Sequence, residues 1–164
     1  MVLDHNKVYL LLGSNMGARL QLLNNAIEHI SFEIGEIVER SSVYETAAWG
    51  KTDQASFLNI AIAVNTVLVP IEVLRKALET EAQLGRIREE KWGARLIDID
   101  IIFYGNEIVN IPDQLYIPHP EMHNRKFVLE PLVEIAPQLQ HPVLKKTVSV
   151  LLNELNDQLE VTKI

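Results

Sequence analysis

The apolar positions fall into short runs whose spacing changes several times along the chain. Val8-Tyr9-Leu10-Leu11-Leu12, closed by Gly13, is a continuous apolar run of strand length and predicts a buried strand over residues 7–13. From residue 18, Leu20, Leu23, Ile27 and Ile30 recur at helical spacing, which predicts an amphipathic helix ending near Gly35. Residues 36–46 return to strand-like composition, 47–56 form a loop, and 57–66 alternate as a strand. Pro70 suits a first helical turn, Ile71, Leu74, Ala77 and Leu78 supply an apolar face, and Gly85 stops the helix. A charged loop over 86–95 precedes the clearest strand, 96–104, and Gly105-Asn106 predicts a hairpin turn into residues 107–110. A proline-punctuated segment and helices around 127–135 and 148–155 follow.

Up to residue 104 the order is strand, helix, strand, strand, helix, strand. That order predicts an α+β fold with a ferredoxin-like split βαβ core: an antiparallel sheet, two helices on one face and long loops able to close over the other. A length of 164 residues suits one domain spanning 1–164.

Composition removes several classes of chemistry. With 48% hydrophobic and 23% charged residues the chain has ordinary globular usage. It has no cysteine, so a disulfide framework, a zinc–thiolate site and a thiol nucleophile are excluded. The first residues are polar and acidic, and no apolar run reaches the length of a membrane span, so a cytoplasmic protein without a membrane partner is expected. A net charge of -7 disfavours nucleic acid as a partner. Arg86, Arg88, Lys91 and Arg95 nevertheless form a basic cluster suited to a small anionic ligand.

Asp98 and Asp100 are two apart in a strand, so their side chains leave the same face. Adjacent carboxylates repel and resist desolvation unless a cation neutralises them, and oxygen-only donors favour magnesium. The plainer reading is a solvated sheet face opposite Ile97, Ile99 and Ile101. Upstream, the basic cluster offers donors that clamp phosphate oxygens, although Glu89 and Glu90 half-balance its charge and fit a solvated loop. Trp92 beside Gly93 favours a lid, and Trp49-Gly50 repeats the pattern. His119 and Arg125 supply a second set of phosphate-type donors. Glu81 occupies a position on the apolar face of its helix, residues 13–17 read as turn chemistry without a P-loop lysine, and His5, His29 and His141 read as structural. His123 stays open.

Gly13-Ser14-Asn15, Tyr44-Glu45-Thr46, Phe57-Leu58-Asn59, Gly85-Arg86-Ile87-Arg88, the run from Trp92 to Asp100, and Pro118-His119 with Asn124-Arg125-Lys126-Phe127 occur in an order and spacing that together are specific. Between Tyr9 and Pro137 the chain resembles the 6-hydroxymethyl-7,8-dihydropterin pyrophosphokinases of folate synthesis. The resemblance implies transfer of pyrophosphate from ATP to the pterin alcohol, with AMP as the other product, and two Mg2+ ions on Asp98 and Asp100. It implies nucleotide contacts or site closure by Arg86, Arg88, Trp92, Arg95, Ile101, His119 and Arg125, with Arg86 and Arg95 acting in catalysis. The pterin is expected between Phe57 and Phe127, its edge read by Thr46 and Asn59, with Trp49 on the pocket wall and Glu81 near the substrates. This chain departs from the family pattern at Ala47, Ala48, Trp49 and Pro120. From the residues alone, a ligand-sensing module and another two-aspartate enzyme, a nuclease or a sugar-nucleotide transferase, stay open.

Overall fold

The computed structural model describes residues 5–47, 56–85, 96–157 and 159–164. Its core runs β1 (Asn6–Ser14), α1 (Arg19–Glu33), β2 (Glu36–Arg40), β3 (Tyr44–Thr46), β4 (Phe57–Thr66), α2 (Pro70–Leu84) and β5 (Asp98–Tyr104). Then come β6 (Val109–Ile111), β7 (Leu115–Ile117), a 3-10 turn at Met122–Asn124, α3 (Lys126–Ile135), α4 (Val148–Glu154) and β8 (Val161–Lys163). The main sheet has the order β5-β1-β4-β3-β8, with β2 also paired to β4, and β1 is antiparallel to both β4 and β5. This is the ferredoxin-like arrangement expected from the sequence.

The strand expected over 36–46 divides into β2 and β3, both on β4. Between them the Ser41 hydroxyl takes the Ala61 N–H at 2.9 Å, replacing the main-chain acceptor that a continuous ladder would offer. The hairpin expected at Gly105-Asn106 is corrected. Gly105 does turn the chain, with φ +55, but β6 pairs with β7 in a separate two-stranded sheet. The free edge of β5 is met instead by α2 and the segment after β7, through Ile99 N–H to Glu81 and His119 N–H to the Ile102 carbonyl. β8 was not foreseen: three residues in a polar C-terminal stretch carry no alternation to read.

Two apolar layers sandwich the sheet, because successive strand residues face opposite sides. Val8, Leu10, Leu12, Leu58, Ile60, Ile62, Ile99 and Ile101 face α1 and α2. Tyr9, Leu11, Ala61, Ala63 and Ile102 face α3 and α4 through Val128, Leu129, Leu132 and Leu151. The second face is therefore largely covered. Among the described residues, the end beyond Leu11, where the face turns polar, is the part left uncovered.

Candidate functional site

Strand register assembles that open end. Gly13 on β1 lies opposite Asn59 on β4 and Asp98 on β5, while Leu11 lies opposite Ala61 and Asp100. Thr46 on β3 pairs with Phe57 on β4. All point to the face that α3 covers further along. A cavity of about 260 Å3 is lined by these side chains and by Arg125 and Phe127 from the start of α3. Thr46, Phe57, Asn59, Asp98, Asp100, Arg125 and Phe127 are thus brought together from three strands and a helix terminus.

Gly13 lies within β1, as the strand expected over residues 7–13 has it, and the turn follows, with Gly17 at φ +72. A Cβ on Gly13 would lie 2.5 Å from Asn59 Nδ2, so only glycine lets the Asn59 amide lie across β1. That amide donates to the Leu12 carbonyl at 3.3 Å. Asn59 Oδ1 and Thr46 Oγ1 are both buried and have no hydrogen-bond partner among the described residues. Burying polar atoms without a partner is costly, so these two, in one small cavity with two phenylalanines, suit a flat polar ligand.

Asp100 keeps an open approach to solvent, yet it is recessed enough that loss of solvation raises its carboxyl above the usual range. The charges of His119 and Arg125 oppose that rise. Burial lowers His119, partly offset by the Asp100 charge. His119 Nδ1 accepts the Glu121 N–H at 3.2 Å, so the neutral ring carries its proton on Nε2. Arg125 holds its guanidinium carbon 5.8 Å from the Phe127 ring centroid, within cation–π range. Asp100 is therefore within charge range of two nitrogen groups: Arg125, which shares the cavity lining, and His119, which lines a neighbouring surface pocket instead.

The donor set fits a magnesium ion. Among the described residues no group of three or more carboxylates or histidines is arranged to hold a metal. A pair of same-face carboxylates is nonetheless what magnesium uses when phosphate oxygens and water complete its shell.

Other sequence-selected residues lie elsewhere. Glu81 is outside the cavity lining, and its carboxylate takes the Ile99 N–H at 2.7 Å, bracing β5 between the two aspartates. The Ile101 side chain is 5% exposed in the layer under α1 and α2, so only its main chain is left to meet a ligand on the other face. Arg86, Arg88, Trp92, Arg95 and Trp49 lie outside the described residues. His29 bonds Thr80 Oγ1 through Nδ1 at 2.8 Å between α1 and α2, and His141 Nδ1 accepts from Val143 and Leu144 N–H, both structural as read. His123 meets His141 edge to face at 6.2 Å. Leu11, Ala47 and Leu159 also line the cavity and were not selected. Strand parity from Asp98 would have found Leu11; nothing in the sequence pattern points to Leu159.

The model of the family described as 7,8-dihydro-6-hydroxymethylpterin-pyrophosphokinase matches residues 9–137. A 2-amino-4-hydroxy-6-hydroxymethyldihydropteridine pyrophosphokinase from Methylorubrum extorquens is 46% identical over 134 residues, covering 81% of this chain and 84% of that one. The protein of the same name from Aquifex aeolicus is 43% identical over 139 residues, covering 85% and 86%. Among solved structures, a Plasmodium falciparum HPPK-DHPS has a TM-score of 0.73 at 19% identity, over 92% of this chain and 42% of that one, and so shares the fold. No helix among the described residues is long and apolar enough to cross a membrane. The chain belongs to the 7,8-dihydro-6-hydroxymethylpterin pyrophosphokinase family.

Proposed function

We propose that this chain, as one catalytic domain over 1–164, transfers the pyrophosphoryl group of ATP to 6-hydroxymethyl-7,8-dihydropterin in the cytoplasm, with the substrate held in the cavity between Phe57 and Phe127. The observation that carries the reading is the pair of buried atoms Thr46 Oγ1 and Asn59 Oδ1, without a hydrogen-bond partner among the described residues, beside two aromatic rings and two carboxylates. The pterin ring stacks on the phenylalanines, and its hydrogen-bonding edge satisfies the two orphaned atoms. Its hydroxymethyl group is directed toward Asp98 and Asp100.

The pterin hydroxyl oxygen gives up its proton to water and bonds to the β-phosphorus of ATP as the bond from that phosphorus to the bridging α–β oxygen breaks, so AMP leaves and pyrophosphate moves whole. Such a transfer relies on positioning and charge stabilisation more than on covalent catalysis. Asp98 and Asp100 would hold two magnesium ions, which supply charge neutralisation for the phosphates. Glu81 keeps the aspartate-bearing strand in register. His119 Nε2 and the Arg125 guanidinium donate to nucleotide phosphate oxygens, and Arg86, Arg88, Trp92 and Arg95 complete and close the nucleotide side. Support for the roles of Asp98, Asp100 and Arg125 comes from the cavity they share, and for that of His119 from its charge interaction with Asp100.

The test is product identity. Incubation with ATP, magnesium and the pterin alcohol should give AMP and a pterin diphosphate in equal amounts. Formation of ADP, or ATP breakdown that ignores the pterin, would overturn the proposal.

A further inference from the structure

The chain after α4 lies outside the residues matched by the family model, yet it returns to the cavity. β8 pairs antiparallel with β3, setting Val161 opposite Thr46, so the three-residue strand that carries Thr46 has a neighbour on each side. Asp157 links this segment to α3. Its Oδ1 takes the Leu159 N–H at 2.9 Å, and its Oδ2 takes the N–H of Lys126, the first residue of α3, at 3.2 Å. The first N–H groups of a helix have no partner within it, and a carboxylate there also meets the positive end of the helix dipole. The N-cap residue Arg125 has no side-chain capping bond of its own, so Asp157 performs that task from a distance. Arg125 and Phe127 flank the capped residue. Leu159, together with Arg125 and Phe127, lines both the 260 Å3 cavity and an open cavity of about 940 Å3, and so contributes part of the wall between them.

We propose that Leu159 contacts the pterin as a specificity-determining wall and that Asp157 is a positioning residue that sets Arg125 and Phe127. The inference rests on the pterin occupying this cavity. Removing the Leu159 side chain opens its part of that wall, lets water reach one side of the ring and deletes apolar contact area. Because Leu159 is only partly buried and β8 pairs through its main chain, the fold tolerates the change.

The experiment is calorimetric titration of the full chain with 6-hydroxymethyl-7,8-dihydropterin in the presence of magnesium and a non-hydrolysable ATP analogue, and separately with the analogue alone. Leu159→Ala should weaken pterin binding about tenfold, which is about 1.4 kcal/mol, and leave analogue affinity unchanged. Leu159→Phe, which crowds the cavity instead of opening it, should weaken the pterin as well, and Leu159→Met should restore wild-type affinity. Asp157→Ala should raise the pterin KM and lower kcat together, because both Phe127 and Arg125 shift, whereas Asp157→Asn, which keeps an acceptor oxygen, should recover most of the loss. Equal pterin affinity in wild type, Leu159→Ala and Leu159→Phe would overturn the wall assignment, and normal kinetics in Asp157→Ala would overturn the positioning role. A wild-type chain that binds no pterin overturns the functional reading together with this inference; a wild type that binds, with variants indistinguishable from it, overturns this inference alone.

Discussion

Replacing Gly13 by alanine perturbs the proposed pterin site through a single methyl group. The added Cβ would lie 2.5 Å from Asn59 Nδ2 and 3.7 Å from its Cγ, with the Leu58 carbonyl at a comfortable 3.8 Å. The backbone at Gly13 is ordinary extended strand, so no conformational strain is added, and the whole effect falls on the Asn59 amide. To reach van der Waals contact the amide must move by about 1 Å, which breaks its 3.3 Å bond to the Leu12 carbonyl and turns Oδ1 away from the cavity. Loss of one long neutral hydrogen bond, partly re-made elsewhere, costs about 1 kcal/mol of stability. The ligand loses the directional bond that reads its edge, and a buried polar group on the pterin goes unpartnered, so binding should fall about ten- to a hundredfold. Calorimetry and thermal unfolding on the same samples separate the two effects: a small drop in Tm, a large drop in pterin affinity and an unchanged affinity for an ATP analogue. Gly35→Ala is the contrasting control, because its Cβ would collide with the Asn65 carbonyl of the main chain and should damage stability far more than any one ligand. Wild-type pterin affinity in Gly13→Ala would refute the idea that the Asn59 amide reads the substrate.

Phe127→Ala should weaken pterin binding several-fold, since an aromatic stack is worth on the order of 1 kcal/mol beyond area burial, while ATP-analogue affinity changes less; equal losses in titrations of both ligands would count against a pterin-specific contact. Asp98→Asn and Asp100→Asn should each abolish AMP formation and leave thermal stability unchanged or raised, because like-charge repulsion is relieved; turnover near wild type at saturating magnesium would remove the metal assignment. Glu134 ties α3 to β3 by accepting from Tyr44 OH at 2.6 Å and from Ser42 N–H and Oγ, both at 3.0 Å. Desolvation raises its carboxyl, but the bonds from Tyr44 and Ser42 together outweigh it and leave it below the usual range. Its stabilisation is therefore fully present above the unfolded value near 4.3, declines as pH falls below that value, and is lost once pH passes the lowered folded value. Glu134→Gln should lower Tm at pH 7 and narrow its gap from wild type as the melts are repeated toward pH 3.

The sheet and the two helices of the ferredoxin-like core were legible because each element carries its own period, and strand parity alone put Asp98 and Asp100 on one face. Arg125 stood out with His119 as a phosphate-type donor, but Thr46, Phe57, Asn59 and Phe127 could be selected only through their resemblance to a family, because side chains from separate strands and a helix meet by tertiary packing that periodicity does not encode. Three features escaped for physical reasons. The role of Gly13 depends on a side chain 46 residues away that crosses it in the ladder. β6 pairs with β7 in place of β5, a choice between partners that a Gly-Asn turn signal cannot make. Asp157 and Leu159 lie in a polar stretch whose contacts are all long-range. Glu81 was conspicuous as a charge on an apolar face, but its main-chain partner on β5 is visible only in three dimensions.

The central claim is that the cavity between Phe57 and Phe127 holds the pterin with its hydroxymethyl group facing Asp98 and Asp100. The most direct measurement is a crystal structure of the chain with magnesium, a non-hydrolysable ATP analogue and 6-hydroxymethyl-7,8-dihydropterin. The account predicts the ring stacked on both phenylalanines, its edge bonded to Thr46 Oγ1 and Asn59 Oδ1, and metal density on Asp98 and Asp100 between the pterin hydroxyl and the phosphates. A pterin bound elsewhere, or a ternary complex in which the two aspartates touch neither metal nor phosphate, would contradict it.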